Sequence, residues 1–377
     1  MGEIMRDNKN KVFLNAFSCA CAAGMTIEEI FDTLLSGKSA IAQQSGYIDN
    51  VCIPLGKIPS DDDFFEIVHA NVATLLSKVP WFEPRETMLL VGSSVGGMCR
   101  AEKKFFADGN FQNITVEEMS IRSIADEVQQ RFGFKSALSF STACTSSSVA
   151  IDFAVDLIVH GLYKTVVVVG ADELSRSAVN GFDRLGIASR ENTRPFDAER
   201  NGINVAEGIA VLAISSVKTA ECVEIMGCGV SSDAYNITHP HPEGEGAKAA
   251  MREALAKAGL EGSQIGYINA HGTGTVANDE IESVAIETIF GKNPFVVSTK
   301  AVTGHTLGAC GALEVAISAM SILHRTIPPC VNLRSPINAV LSHPLTSVKA
   351  EVNYVLSNAF GFGGGNVSIV LGKPHAD

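Results

Sequence analysis

The sequence predicts an α/β protein with largely parallel sheets, built as two similar halves. Three observations carry that expectation. Near-continuous apolar runs such as Thr87-Met88-Leu89-Leu90-Val91-Gly92 and Val166-Val167-Val168-Val169 read as strands buried on both faces. Helical patterns alternate with these runs along the chain, the arrangement that gives parallel sheets flanked by helices. Beyond residue 220 the alternation starts again, so a duplicated unit is expected, joined near residues 216 to 245 and dividing the chain into 1–220 and 221–377.

The elements follow in order. Lys11 to Ala16 reads as a first strand and Thr26 to Leu35 as a helix, while residues 40 to 60 look irregular. Ser60-Asp61-Asp62-Asp63 places acidic groups where a helix start favours them, and opens a helix to about Leu76. Thr115 and Glu118 have capping-box spacing, and a helix is expected from there to about Phe132. Ala137 to Phe140 is a short strand and Val149 to His160 a buried helix. Val166 to Glu173 and Ile209 to Ser215 are further buried strands.

The second half opens with a strand over Val223 to Val230 and a helix over Glu243 to Ala258, closed by Gly259. Ile265 to Ala270 is a strand ending at His271, and Glu280 to Phe290 is helical. Phe295 to Ser298 is a strand, and Leu307 to Leu323 a long helix. Tyr354 to Asn358 and Val367 to Leu371 form a closing hairpin around a glycine-rich turn.

Composition narrows the function classes. The formal net charge of −12 argues against a nucleic-acid binder. No run is read as approaching the roughly 18 apolar residues of a membrane span, and the polar start, Met1 to Lys11, is not a signal peptide. Nine cysteines, an odd number without regular spacing, point to a reducing cytoplasm rather than a disulfide framework. Cys19 and Cys21 lack a second pair of ligands, so no metal site is expected.

The chemistry gathers in four stretches. In Ser141-Thr142-Ala143-Cys144-Thr145-Ser146-Ser147-Ser148, Cys144 sits where a strand turns into a helix. Unpaired N–H groups and the dipole at a helix start are expected to lower its pKa toward the nucleophilic thiolate. A buried free cysteine is by itself more often a small hydrophobe. Three later stretches each place reactive residues among glycines after an apolar strand: Asn269-Ala270-His271-Gly272-Thr273-Gly274-Thr275, Ser298-Thr299-Lys300-Ala301-Val302-Thr303-Gly304-His305, and Asn358-Ala359-Phe360-Gly361-Phe362-Gly363-Gly364-Gly365-Asn366. In α/β sheets such turns at the carboxyl ends of strands are where ligands bind. Two histidines in two such turns are hard to explain as packing.

In this order the four stretches resemble the β-ketoacyl-[acyl carrier protein] synthases of the elongating type, as does Arg194-Pro195-Phe196-Asp197 through Glu207-Gly208. The resemblance spans nearly the whole chain. It implies a thiolase-like duplicated fold of five α-β-α-β-α layers, as a homodimer or as a heterodimer with a related synthase or chain-length-factor subunit. It further implies that Cys144 takes an acyl group from acyl carrier protein, and that His271 and His305 stabilise the carbanion formed when malonyl thioester loses CO₂. The N–H groups of Cys144 and Phe362 would form the oxyanion hole, with Phe362 also a gate. Lys300 and Glu314 match supporting residues, while Thr273 and Thr275 match those that hold the phosphopantetheine arm. No cofactor is implied beyond the phosphopantetheine that arrives on the carrier.

Several features depart from the family's pattern. Gly365 stands where the family has threonine, which puts one hydrogen bond near the gate in doubt, and the early helix begins with aspartates rather than a basic cluster. Both point toward a specialised polyene or polyketide-type pathway. With that cluster absent, carrier docking is expected at Arg194, with Arg100, Lys103 and Lys104 as further candidates. Two other readings remain: a thiolase or initiating synthase acting on CoA esters, which His305 argues against, and a non-catalytic chain-length factor, which Cys144 argues against.

Overall fold

The computed structural model describes residues 11–374; Met1 to Asn10, which carry most of the polar start, lie outside the described residues. Five strands of the first half are β1 (Phe13–Cys21), β2 (Met88–Gly92), β3 (Ser136–Phe140), β4 (Thr165–Asp172) and β5 (Gly208–Ser215). Five of the second are β6 (Val223–Ser232), β7 (Tyr267–Asn269), β8 (Phe295–Val297), β9 (Tyr354–Phe360) and β10 (Gly365–Gly372). The helices used below are α1 (Ile27–Leu35), α2 (Phe64–Lys78), α3 (Met98–Asp108), α4 (Ser123–Phe132), α5 (Ser146–Val159), α6 (Arg176–Arg184), α7 (Glu245–Ala258), α8 (Val276–Phe290) and α9 (Cys310–His324).

Strand order in the first half is β1-β5-β4-β2-β3, and in the second β6-β10-β9-β7-β8. The senses repeat as well. β1–β5 and β5–β4 are antiparallel while β4–β2 and β2–β3 are parallel, and the second half matches pair for pair. The two sets meet at one edge, where Phe13 and Leu14 pair with Glu224 and Val223.

Alternation along the strands separates the cores. Val166 and Val168 of β4 face the cluster that holds α5 and α9, whereas Val167 and Val169 face the one that holds α2 and α4. Leu356 and Val370 of the second half face a third cluster, built with α7 and α8. Helices α5 and α9 therefore lie between the two sheets, with α2 and α4 outside one and α7 and α8 outside the other. This is the five-layered duplicated arrangement the sequence implied. The central helices touch closely near their starts: a Cβ on Gly311 would stand 1.9 Å from Ser148 Oγ, so only glycine fits.

Three local expectations need correction. Residues 42–48 and 51–55 form a small antiparallel hairpin rather than irregular chain. The helix expected from Thr115 to Phe132 is two, Val116–Met119 and α4, because the chain is extended at Ser120. Leu307–His324, 18 residues with mean hydropathy 1.5, is long and apolar enough to cross a membrane by length and composition, which the sequence reading passed over; it is largely buried in the core.

Candidate active site

Cys144 lies just before α5, in a turn fixed by local sequence. Ala143 is held at φ +53°, a left-handed conformation that β-carbon residues rarely adopt. Thr142 N donates to Ser146 Oγ at 3.0 Å, and Ser146 Oγ donates to the Ala143 carbonyl at 2.6 Å, which closes the turn. The strained turn delivers the thiol to the floor of a cavity of about 600 Å³ lined by Cys144, Phe182, His271, Thr273, His305 and Phe362, among others. The cysteine stretch and the three glycine-bearing stretches, far apart in sequence, thus converge on one space.

His305 Nε2 is 3.1 Å from Cys144 Sγ. The tautomer follows from the other ring nitrogen, because Leu307 N donates to His305 Nδ1 at 3.2 Å. A neutral ring that accepts at Nδ1 carries its proton on Nε2, aimed at the sulfur. His271 stands across from it, ring centroids 5.4 Å apart and nearly perpendicular. Both rings are held well below the usual histidine pKa, first by burial and then by the Lys300 ammonium, so both are neutral. Two neutral imidazoles beside a thiol can each donate one hydrogen bond to an oxygen that gains charge.

The expected thiolate is not what the structure favours at rest. Burial pushes the Cys144 thiol up to about 11, against the opposing pull of Lys300 and the N–H groups of Phe362 and of Cys144 itself. Burial of the sulfur outweighs the helix start because Cys144 is only 7% exposed. The Phe362 N–H reaches the cysteine because its turn, with Gly363 and Gly364 at φ +86° and +80°, folds back toward Thr142 and Cys144.

Lys300 and Glu314 form a buried ion pair, their side chains 1% and 2% exposed. Burial raises Glu314 to about 7 even with Lys300 beside it. Thr273 Oγ1 lies 2.9 Å from Thr275 Oγ1, and both line the cavity while Thr275 caps α8. Phe362 is half-buried, its ring 5.9 Å from that of Phe182 on α6. A side chain at Gly365 would meet Thr145 Oγ1 at 3.3 Å, which locates the contact that glycine forgoes. Cys144, His271 and His305 place ligand atoms within 4.8 Å of one another, as do His271, Cys310 and Glu314, so either trio could share a soft metal ion.

The expected docking cations do not form a free patch. Arg100 is paired with Glu127, Lys103 with Glu173, Lys104 with Glu118, and Arg194 with Glu191 and Glu199. Several functional carboxylates escaped the sequence reading. Glu282 accepts from His271 N and Gly272 N at 2.8 and 2.7 Å, and Asp279 accepts from Gly274 N at 3.1 Å, so α8 holds the histidine turn. Asp233 accepts from Asn366 Nδ2 at 2.8 Å, tying the Phe362 turn to the loop that forms the cavity's far wall. The signal available was the acidic pair in Asn278-Asp279-Glu280-Ile281-Glu282 directly after the threonines.

Comparison with known proteins agrees with this geometry. Residues 80–220 match the family description "Beta-ketoacyl synthase, N-terminal domain", and residues 222–334 match "Beta-ketoacyl synthase, C-terminal domain". A 3-oxoacyl-[acyl-carrier-protein] synthase 2 from Rhizobium meliloti is 34% identical over 76% of this chain and 73% of its own length. Another of that name from Coxiella burnetii is 29% identical over 97% of this chain and 99% of its own. A chain from the complex of a ketosynthase with its chain length factor from Xenorhabdus doucetiae superposes with a TM-score of 0.89 at 30% identity, covering 98% of this chain and 100% of that one. With both halves matched and relatives aligned along nearly the full length, the chain belongs to the β-ketoacyl synthase family of acyltransferase-class condensing enzymes.

Proposed function

We propose that this chain is an elongating 3-oxoacyl-[acyl carrier protein] synthase in which Cys144 holds the growing acyl group. The observation that carries the reading is the neutral His305 aimed at Cys144 Sγ from 3.1 Å, with His271 facing it. Cys144 attacks the carbonyl of an acyl-carrier thioester. The new carbon–sulfur bond replaces the one to phosphopantetheine, whose thiol leaves with the cysteine's proton. The transient oxyanion lies between the N–H groups of Cys144 and Phe362.

Malonyl thioester then binds with its arm along Thr273 and Thr275. Its carboxylate leaves as CO₂ and the bonding pair stays behind as an enolate, whose oxygen takes hydrogen bonds from His271 and His305. The carbanion attacks the acyl carbonyl, the bond to sulfur breaks, and a 3-oxoacyl chain two carbons longer departs. Burial and the Lys300 ammonium keep both histidines neutral and so able to donate, while Glu314 holds Lys300 in its buried pair. No resident cofactor takes part in these steps.

Acyl carrier protein is the proposed partner, supported by the names of the relatives, and a second synthase-like subunit or another copy would add at the edge strand β3, where Leu138 is 41% exposed. Gly365 and the aspartates before α2 support a specialised polyene or polyketide-type pathway, and a cytoplasmic setting accords with nine cysteines that form no disulfide among the described residues. The test supplies acyl- and malonyl-carrier protein to the purified chain. A product two carbons longer, absent with Cys144→Ala, supports the reading; carrier thioesters left unchanged by the wild type while CoA esters react would replace it with the initiating or thiolase reading.

A further inference from the structure

Asp172 ends β4 as a fully buried carboxylate with no cationic partner at hydrogen-bond distance among the described residues. Four donors converge on it instead. Ser93 Oγ donates at 2.5 Å, Ser94 N and Val95 N at 2.9 Å, and Gly308 N at 2.6 Å. Ser93 Oγ accepts from Gly96 N at 2.8 Å, so its own proton is free to point at the carboxylate. These donors belong to two separate segments. Residues 93–95 follow β2, and Gly308 lies three residues past His305. A third segment is tied in by Ser94 Oγ, which donates at 2.9 Å to the carbonyl of Ala143, the strained residue before the nucleophile.

We propose that Asp172 is a positioning residue that fixes the Cys144 turn and the His305 turn relative to one another. The proposal rests on the reading of Cys144 and His305 as the reacting pair. A single carboxylate that accepts from four donors can do so only ionised, since a protonated or amide group would bring a hydrogen toward one of them. Burial pushes Asp172 up to about 6, while its donors oppose that rise, so it is charged at neutral pH. Charge-assisted hydrogen bonds of this kind are stronger than neutral ones, which suits a joint between three chain segments.

The experiment uses the full chain carrying Asp172→Asn or Ser94→Ala, with wild type beside it. Two quantities are read: kcat and KM for Cys144 acylation by acyl-carrier thioester. Asp172→Asn should lower kcat by about 10²-fold, the scale of a misplaced reacting group, with KM close to that of the wild type. Ser94→Ala cuts only the link to Ala143, so it should lower kcat less, again with KM unchanged. If Asp172→Asn does not fold, the lowered kcat of Ser94→Ala carries the test, and a wild-type kcat there overturns the proposal. A folded Asp172→Asn whose kcat is unchanged, or whose loss lies in KM instead, also overturns it. A wild type that fails to acylate at Cys144 overturns the underlying reading instead, so the two failures are distinguishable.

Discussion

The Nε2–H of His305 points at Cys144 Sγ across 3.1 Å, and it does so because the Leu307 N–H occupies the other face of the ring. The imidazole is therefore set as a donor, not as a base for the thiol. Self-acylation and malonyl decarboxylation should then depend on the histidines to different degrees.

His271→Ala and His305→Ala are each expected to lose malonyl decarboxylation by about 10²–10³, the cost of one donor to a developing oxyanion, while self-acylation falls less. Separate assays of CO₂ release and of acyl-enzyme formation check this. Decarboxylation that persists at the wild-type rate in both variants would remove the enolate-stabilising role.

Burial raises the Cys144 thiol to about 11 against the opposing pull of Lys300. Lys300→Ala takes away a positive charge that favours the thiolate. The pH profile of Cys144 alkylation should therefore shift to higher pH. A profile that stays put, or moves down, would mean that the ammonium does not reach the sulfur.

The Lys300–Glu314 pair is buried to 1% and 2% exposure, so removing one partner strands the other. Glu314→Ala should lower the unfolding free energy by roughly 3–5 kcal/mol, whereas replacing both with Met and Leu should cost clearly less. Denaturant melts of the three proteins decide the matter, and equal losses in single and double variants would contradict it.

Much of this was legible from the sequence, and the gaps have physical causes. The nucleophile turn and the histidine turns were visible because strand, reactive residue and glycine follow one another locally. The hairpin at 42–55 was not: Ala42, Gln43, Ser45 and Gly46 face solvent and leave no apolar alternation. Asp172 was read only as the end of an apolar strand, since its donors come from residues 93–95 and 308. The fate of Arg100 and Lys104 was equally hidden, because Glu127 and Glu118 reach them only once the helices pack. The pKa of Cys144 went wrong in direction because burial of its sulfur is a tertiary property.

With those cations paired, carrier docking is expected at the cavity mouth instead. Arg184 is exposed on α6, two residues from Phe182 in the cavity wall. An exposed charge contributes roughly 0.2–1 kcal/mol, so Arg184→Glu should weaken carrier binding a few-fold and flatten its salt dependence. Titrations across a salt series measure both, and unchanged affinity and slope would place docking elsewhere.

The most direct measurement is the intact mass of the chain after incubation with acyl-carrier protein, followed by peptide mapping. The expected result is one acyl group on Cys144, with no mass added to Cys144→Ala. An acyl group that maps to Cys99 or Cys310, or that survives in Cys144→Ala, would contradict the assignment of the nucleophile and the mechanism built on it.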